Sequence, residues 1–213
     1  VTRLLAGRPA KGLTISTFHA LGVRILRQEA AKLGLKPGFS ILDAADTTAL
    51  FQELAGSVDK GRLRALQSRI SLWKNQLVSP ATALKDSSDE IEAAAAELYA
   101  AYERTLRAYQ AVDFDDLIRL PVQLFSEQDE VAQRWRSRIW HLLVDEYQDT
   151  NRGQYRLLRL LTRGRDSFTA VGDDDQSIYA WRGADSENLR LLRDDYPSLK
   201  VVKLEQNYRS TAR

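Results

Sequence analysis

The chain has 213 residues, of which 44% are hydrophobic and 28% are charged, a balance typical of a soluble globular protein. The absence of cysteine excludes disulfides and thiolate metal sites, and two histidines are too few for a histidine-rich metal site. The net charge of +2 favours no class of partner, and no apolar run reaches membrane-spanning length, so we expect a cytoplasmic protein.

The first part of the chain is predicted to be almost entirely helical. A short β-branched segment, 13–17 (LTIST), predicts one strand, and apolar residues at helical spacing then predict a helix that Gly34 and Pro37 end. A second helix begins after a capping aspartate, either Asp43 or Asp46. Further helices are predicted at about 61–77, 88–110, 114–125 and 128–138.

Two side-chain patterns stand out within this helical block. One predicted helix carries four cations, which favour a solvated helix face, with a nucleic-acid contact as the alternative: Arg62, Arg64, Arg69 and Lys74. A later helix carries an aromatic and apolar stripe at helical spacing, which favours a core position over a binding surface: Tyr99, Tyr102, Leu106 and Tyr109.

The pattern changes after residue 138 to alternating strands and helices. The continuous apolar run 139–144 (IWHLLV) predicts a buried parallel strand, and further strands are predicted at 168–171 and 200–204. Helices are predicted between them, at 153–163 and 187–193. Such alternation predicts an α/β domain with a parallel sheet, which the strand at 13–17 is expected to join. The helical block is then an insertion in that domain.

The end of the strand at 139–144 carries two adjacent carboxylates, Asp145 and Glu146, in the stretch LLVDEYQDT. Ligands of open α/β sheets bind at the carboxyl ends of the strands. In phosphoryl-transfer motors an acid at this point holds magnesium, and a neighbouring carboxylate polarises the attacking water. Asp145 suits the first role and Glu146 the second. Solvated acids at a strand-to-loop transition are the alternative, although the full DEYQDT stretch is more specific than a bare acid pair.

The strand at 168–171 is followed by the polar stretch GDDDQSIYAWRGA. Gln176 is neutral and could orient both a water molecule and an oxygen of a terminal phosphate. Tyr179, Trp181 and Arg182 combine stacking surfaces with a cation, a combination that binds unpaired bases without reading sequence. The alternative is that Tyr179 and Trp181 are core aromatics.

Two further strand ends carry candidate residues. After 200–204, Arg209 could neutralise charge on a transferred phosphoryl group and Tyr208 could stack on a base. For an isolated arginine, a surface ion pair would be the better explanation. After 13–17, Thr17 or His19 could donate a hydrogen bond to a nucleic-acid phosphate. Taken alone, His19 is more typical of a helix start or a core position.

In their order along the chain, these segments resemble the motifs of the UvrD/Rep family of superfamily-one DNA helicases. The matching stretches are TISTFHALG, ISLWKNQ, DFDDLI, LLVDEYQDTN, VGDDDQSIYAWRGA and LEQNYRST. The resemblance extends over essentially the whole chain, and its central motifs are long and specific. It implies that 1–18 and 130–213 belong to the first RecA-like ATPase domain, of the P-loop NTPase type. It also implies that 19–129 form an inserted, all-helical, DNA-contacting subdomain.

The resemblance also implies an ATP-dependent 3′-to-5′ DNA helicase that acts on single-stranded DNA and duplex junctions. The resemblance implies that ATP and Mg²⁺ are bound and used by named residues. Asp145 would coordinate the metal and Glu146 would be the catalytic base. Gln176 would couple the terminal phosphate to DNA binding, Arg209 would contact that phosphate, and Tyr208 would stack on the adenine. The expected DNA contacts are Thr17, Phe18, His19, Tyr179, Trp181 and Arg182.

The phosphate-binding loop is missing from these 213 residues, because no GxxxxGK[ST] stretch occurs in them. We therefore expect the loop to lie upstream and a second RecA-like domain to lie downstream. The 213 residues alone are expected to be inactive and to bind ATP and Mg²⁺ poorly. Two alternatives remain open from the sequence. The chain could be the motor part of a helicase–nuclease subunit, or a non-catalytic nucleic-acid-binding module whose acids are structural.

Overall fold

The computed structural model describes residues 12–165, 167–173 and 187–204. Within them the chain is mixed α/β and mostly helical. The helices are α1 (Phe18–Glu29), α2 (Ala44–Ala55), α3 (Lys60–Asn75), α4 (Pro80–Lys85), α5 (Glu90–Tyr109), α6 (Asp116–Glu127), α7 (Asp129–Ser137), α8 (Arg152–Thr162) and α9 (Glu187–Asp195). The strands are β1 (Ser40–Ile41), β2 (Ala111–Val112), β3 (Leu142–Val144) and β4 (Phe168–Ala170). No helix in that part of the chain is both long enough and apolar enough to cross a membrane.

Side-chain caps and a glycine define several helix ends. Asp43 caps α2 by accepting from two backbone N–H groups of its first turn, and Asp46 completes a capping box. The 3₁₀ turn Ala30–Leu33 that follows α1 ends at Gly34, whose φ of 70° is the left-handed conformation that glycine adopts without strain. The predicted helices are thus confirmed to within a few residues, whereas α4, which Ser79 caps, was not predicted.

Two segments predicted as strands are not strands. Residues 13–17 and 200–204 are both described, and neither pairs with a neighbouring strand in the described structure. Leu13 and Ile15 are 48% and 67% exposed, and Leu204 is 87% exposed. A strand is held by its neighbour, and β-branched composition alone does not supply one.

The parallel strands occur in two separate pairs. β1 pairs with β2, a contact between two-residue strands that the sequence did not predict. β3 pairs with β4 in the register Leu142 with Phe168 and Val144 with Ala170, as expected for neighbouring parallel strands. The strand predicted at 139–144 is shorter than expected, since β3 spans only Leu142–Val144. It is also not buried on both faces: Leu143 within it is 71% exposed, and Trp140 before it is 88% exposed.

The helices pack around two principal hydrophobic cores. One joins α2, α3 and α5 and includes three residues of the predicted stripe, Tyr99, Tyr102 and Leu106, whereas Tyr109 is 61% exposed and lies outside it. The other joins α1, α6, α7 and α8. Gly22 allows α1 to approach α6 closely, because a Cβ atom there would lie 1.8 Å from the Leu117 carbonyl oxygen.

One of the four cations predicted to be solvated is instead completely buried. The Lys74 side chain is 1% exposed, and its ammonium lies 2.6 Å from Asp113 Oδ2, 3.0 Å from Asp116 Oδ1 and 3.2 Å from Glu103 Oε1. Arg119 joins the same group by ion pairs with Glu103 and Asp116. These five residues are called the buried ion cluster below. The expectation was wrong because the carboxylates are distant in sequence and meet Lys74 only through the packing of α3 against α5 and α6.

Candidate functional site at the tips of two parallel strands

The pairing of β3 with β4 brings two polar segments side by side. The Val171 N–H donates to the Val144 carbonyl at 2.8 Å, and the Tyr147 N–H donates to the Val171 carbonyl at 2.9 Å. The backbone pairing thus continues past the strands, so that Asp145 and Glu146 lie beside Gly172 and Asp173. This is the edge of a parallel sheet where ligands bind. We call these four residues, together with Gln148, the acidic tip.

The two candidate catalytic acids are both exposed to solvent. Asp145 Oδ1 accepts from the Glu146 N–H at 3.0 Å, which orients the Asp145 carboxylate across the start of the turn. Glu146 has a left-handed backbone with φ 50° and ψ 45°. That conformation is uncommon for a residue with a side chain and costs free energy, and such residues cluster at functional sites.

Gln148 connects the two strand tips and was not singled out by the sequence analysis. Its side chain is only 2% exposed. Its Nε2 donates to Glu146 Oε2 at 2.7 Å, and its Oε1 accepts from the backbone N–H of Asp173 at 3.0 Å. A Cβ atom at Gly172 would lie 2.9 Å from that Oε1, so glycine leaves the space that the amide occupies. The signal available in the sequence was an amide placed between three acids in DEYQD.

Buried groups below the acidic tip hold the turn in place. Burial raises the pKa of the Tyr147 hydroxyl, with smaller contributions from neighbouring tyrosines and an aspartate. The Thr150 hydroxyl donates to the Tyr147 carbonyl at 2.7 Å. Asn151 then caps α8 by accepting from the Gln154 N–H at 2.8 Å, and the Gln154 side chain completes a capping box. The end of the turn that carries the acids is therefore held against the start of α8.

The acidic tip offers oxygen ligands of the type that Mg²⁺ prefers. The carboxylates of Asp145, Glu146 and Asp173 follow adjacent strand ends, and Asp145 is exposed. Within the described ranges no group of three or more candidate metal ligands occurs. Mg²⁺ in nucleotide sites is typically bound by one or two carboxylates, several waters and the substrate phosphates. A site built around one carboxylate therefore fits these residues.

The candidate nucleic-acid contacts after 13–17 lie at the start of α1. Thr17 is exposed and caps the helix, its Oγ1 accepting from the Ala20 N–H at 3.1 Å. Phe18 is partly buried and packs against the core that joins α1, α6, α7 and α8. It also packs against a smaller hydrophobic cluster, which includes Val144 of β3 and Tyr147. His19 is partly buried, with its ring centroid 5.8 Å from that of Phe114. Burial lowers the pKa of His19, and the nearby Asp115 carboxylate opposes that shift.

A polar link joins the helical block to the segment that follows the acidic tip. Asn75, at the end of α3, accepts from Asn151 Nδ2 through its Oδ1 at 2.6 Å. The Asn75 amide nitrogen donates to Asp115 Oδ1 at 3.0 Å. The close packing of Gly153 against the Asn75 carbonyl and Ile118 reinforces the contact. The start of α8 is therefore attached to α3 and to the residues that precede α6.

The remaining candidate residues lie outside the described part of the chain. They are Gln176, Tyr179, Trp181, Arg182, Tyr208 and Arg209. Of the described candidates, Asp145 and Glu146 are adjacent at the tip of β3, and Glu146 is linked through Gln148 to the backbone of Asp173. Thr17, Phe18 and His19 form a separate group at the start of α1. The roles of all these residues stay predictions.

Comparison with known proteins gives one family and a consistent set of relatives. The model of the UvrD/REP helicase N-terminal domain matches residues 1–197. The ATP-dependent DNA helicases Rep of Salmonella typhimurium (strain LT2) and Escherichia coli (strain K12) are each 50% identical over 216 residues, covering 100% of this chain. The ATP-dependent DNA helicase PcrA of Staphylococcus epidermidis is 40% identical over 211 residues, covering 97% of this chain.

The chain corresponds to only part of these relatives. It spans 32% of the length of the two Rep proteins and 29% of the length of the PcrA protein. The match is therefore to about a third of the length of each relative.

Proposed function

The chain belongs to the UvrD/REP helicase N-terminal domain family, and from this premise we propose that it is part of the motor of an ATP-dependent 3′-to-5′ DNA helicase. The acidic tip supports this proposal best. The pairing of β3 with β4 sets Asp145, Glu146 and Asp173 at one edge of a parallel sheet, where phosphoryl-transfer motors bind their nucleotide and metal.

In this proposal the described acids have separate roles in ATP hydrolysis. Asp145 would hold Mg²⁺, and the metal would supply positive charge to the phosphate oxygens. Glu146 accepts a proton from the attacking water as the water oxygen bonds to the γ-phosphorus and the bond to the ADP oxygen breaks. The exposure of both side chains suits a substrate that arrives from solvent. Gln176 and Arg209 contact the terminal phosphate, and Tyr208 stacks on the adenine.

The nucleic-acid part of the proposal concerns single-stranded DNA and duplex junctions. Thr17, Phe18 and His19 contact the strand at the start of α1, and the exposed Thr17 is the best placed of the three. The further contacts are Tyr179, Trp181 and Arg182, whose rings and charge suit unpaired bases. Residues 1–18 and 130–213 form part of a RecA-like domain, and 19–129 form its helical insertion.

The 213 residues by themselves are proposed to be inactive. They contain no GxxxxGK[ST] stretch, so they lack the backbone cradle and the lysine that bind the β- and γ-phosphates. The acids at the strand tips then have no bound substrate on which to act. A coupled ATPase assay of the 213 residues with single-stranded DNA tests this, and turnover near that of the intact motor would contradict it.

Glu146→Gln in the full-length protein that contains this chain tests the central role. The substitution keeps the shape and removes the base, so the DNA-stimulated kcat should fall by about 10²- to 10⁴-fold. Binding of a fluorescent ATP analogue should persist. Glu53→Gln on the exposed surface of α2 is the matched control and should leave turnover unchanged. Unchanged turnover of Glu146→Gln would favour a non-catalytic nucleic-acid-binding module.

A further inference from the structure

Gln148 is an unusual residue to find fully buried beside two exposed acids. A buried amide must satisfy both its oxygen and its nitrogen, or it costs free energy. Gln148 does so by bridging the two strand tips: its amide nitrogen contacts Glu146, and its amide oxygen contacts the backbone of Asp173, 25 residues later in the chain.

The orientation of the amide follows from its partners. The backbone N–H of Asp173 can only donate, so the Gln148 atom facing it at 3.0 Å must be the oxygen. The nitrogen therefore faces Glu146 Oε2, at 2.7 Å, and donates to it. Gln148 thus offers a hydrogen-bond donor to the carboxylate and an acceptor to the backbone that follows β4.

This bridge gives a fixed position to a carboxylate that would otherwise be free to rotate. Glu146 is exposed, and an exposed glutamate populates several rotamers. One hydrogen bond from a buried, immobile amide selects the rotamer in which Oε2 meets Gln148. The other oxygen then points away from the amide. A general base has to be held in a productive geometry, and a misplacement of about 1 Å can cost about 100-fold in rate.

We propose that Gln148 is a positioning residue that holds the Glu146 carboxylate in its catalytic orientation and connects that orientation to the backbone after β4. The inference rests on the proposed role of Glu146 as base. A shift of Gly172 and Asp173 moves the amide oxygen, and the amide nitrogen moves the carboxylate with it. The segment after β4 can thereby change the competence of the base without touching it.

The first test substitutes Gln148 in the full-length protein that contains this chain. Gln148→Met keeps the length of the side chain and removes both hydrogen bonds. The expected result is a fall in DNA-stimulated kcat of about 10- to 100-fold, with the KM for ATP changed by less than about 3-fold. Thermal melting and circular dichroism identify the folded fraction to which kcat is normalised. A normalised kcat within about 2-fold of the unsubstituted protein would overturn the proposal.

The second test separates positioning from a merely structural role. In a Glu146→Gln background the base is already absent, so Gln148→Met should cause no further loss of single-turnover rate. An independent, multiplicative loss would overturn the proposal, because it would mean that Gln148 acts elsewhere. If Glu146→Gln alone leaves turnover unchanged, the role of Glu146 as base is wrong, and the positioning role fails with it. A fall for Glu146→Gln without one for Gln148→Met refutes the positioning role alone.

A third variant perturbs the Gln148 amide at its oxygen, on the side that faces the backbone after β4. Gly172→Ala adds a Cβ atom 2.9 Å from Gln148 Oε1, closer than such atoms come in proteins. It should lower kcat in the same direction as Gln148→Met, and the two effects should not add when combined. Gly38→Ala is the matched control, because a Cβ atom at Gly38 meets nothing within 4 Å. Additive effects of Gly172→Ala and Gln148→Met would contradict the bridge.

Discussion

Replacement of Lys74 by methionine should be among the most damaging single substitutions for folding. Lys74→Met keeps the length and most of the volume of the side chain and removes its charge. The ammonium contacts three carboxylates, at 2.6 Å (Asp113), 3.0 Å (Asp116) and 3.2 Å (Glu103). Burial alone would lower the pKa of Lys74, but these carboxylates raise it well above its ordinary value, so the unsubstituted side chain is charged throughout the accessible pH range.

The size of the loss in unfolding free energy follows from the charges that remain after Lys74→Met. Without Lys74 the buried ion cluster holds three carboxylates and one cation, Arg119, which pairs with Glu103 at 2.6 Å and with Asp116 at 2.7 Å. Asp113 then keeps the Tyr102 hydroxyl at 2.9 Å but has no cation. Removing one partner of a buried ion pair typically costs about 3–5 kcal/mol. We expect that loss in the free energy of unfolding at pH 7.5.

Protonation of Asp113 should make the loss of unfolding free energy smaller at lower pH, which provides a second measurable test of the prediction. Burial and the neighbouring Asp116 carboxylate raise the pKa of Asp113 to about 6, although Lys74 acts against them. Without Lys74 the pKa of Asp113 rises further, so at pH 5.5 the protonated carboxyl replaces the uncompensated charge. The loss caused by Lys74→Met should therefore be smaller at pH 5.5 than at pH 7.5. Asp113→Asn in the same chain should also recover part of it.

Urea denaturation followed by circular dichroism and tryptophan fluorescence measures these changes. Lys60→Met, at the exposed first position of the same helix, is the control and should change the unfolding free energy by less than about 0.5 kcal/mol. A loss below about 1 kcal/mol for Lys74→Met at pH 7.5, or a loss that does not shrink on acidification, would refute the reasoning about the buried ion cluster.

Two further predictions concern acid stability and the link between the helical block and α8. Burial opposes the charged form of Asp116, but Lys74 and Arg119 outweigh it and lower its pKa to about 2. The charged carboxylate therefore stabilises the fold above about pH 4, and this contribution is lost towards pH 2. Asp116→Asn should flatten that part of the curve of unfolding free energy against pH, measured by urea titration, and an unchanged slope would contradict the prediction. Asn151→Ala removes the cap of α8 and the hydrogen bond to Asn75, so it should lower the free energy of unfolding by about 1–2 kcal/mol. In a double-mutant cycle with Asn75→Ala, the coupling free energy should be about 0.5–1.5 kcal/mol, and a coupling of zero would contradict the prediction.

Most of the helices could be predicted from the sequence because their apolar spacing and their capping residues lie within or next to the helix itself; α4 was the exception. Apolar spacing and capping residues specify α2 and α8, for example, without reference to the rest of the chain. Strands depend on partners instead. Residues 13–17 and 200–204 have β-branched composition but no neighbouring strand in the described structure, whereas the two-residue strands β1 and β2 exist only because they pair with each other.

The candidate site could be predicted to the extent that it follows from strand order. Acids that follow two paired parallel strands lie at the same edge of the sheet, and Glu146 and Asp173 both contact Gln148 at the tips of β3 and β4. Gln148 and Lys74 could not be assigned in the same way. The hydrogen bonds of Gln148 depend on the turn that follows β3, and the ion pairs of Lys74 depend on carboxylates 29 to 42 residues away in sequence, from Glu103 to Asp116.

The left-handed conformation of Glu146 connects the stability of the turn with its proposed chemistry. A left-handed backbone at φ 50° opposes folding for a residue with a side chain, and Asp145 offsets part of that cost by accepting the Glu146 N–H. Gln148 then holds the carboxylate that this turn exposes. A glycine would relieve the backbone but would remove the carboxylate, so stability and the proposed chemistry make opposite demands at this position. The buried groups beneath the turn, from Tyr147 to Asn151, are what allow the strained arrangement to persist.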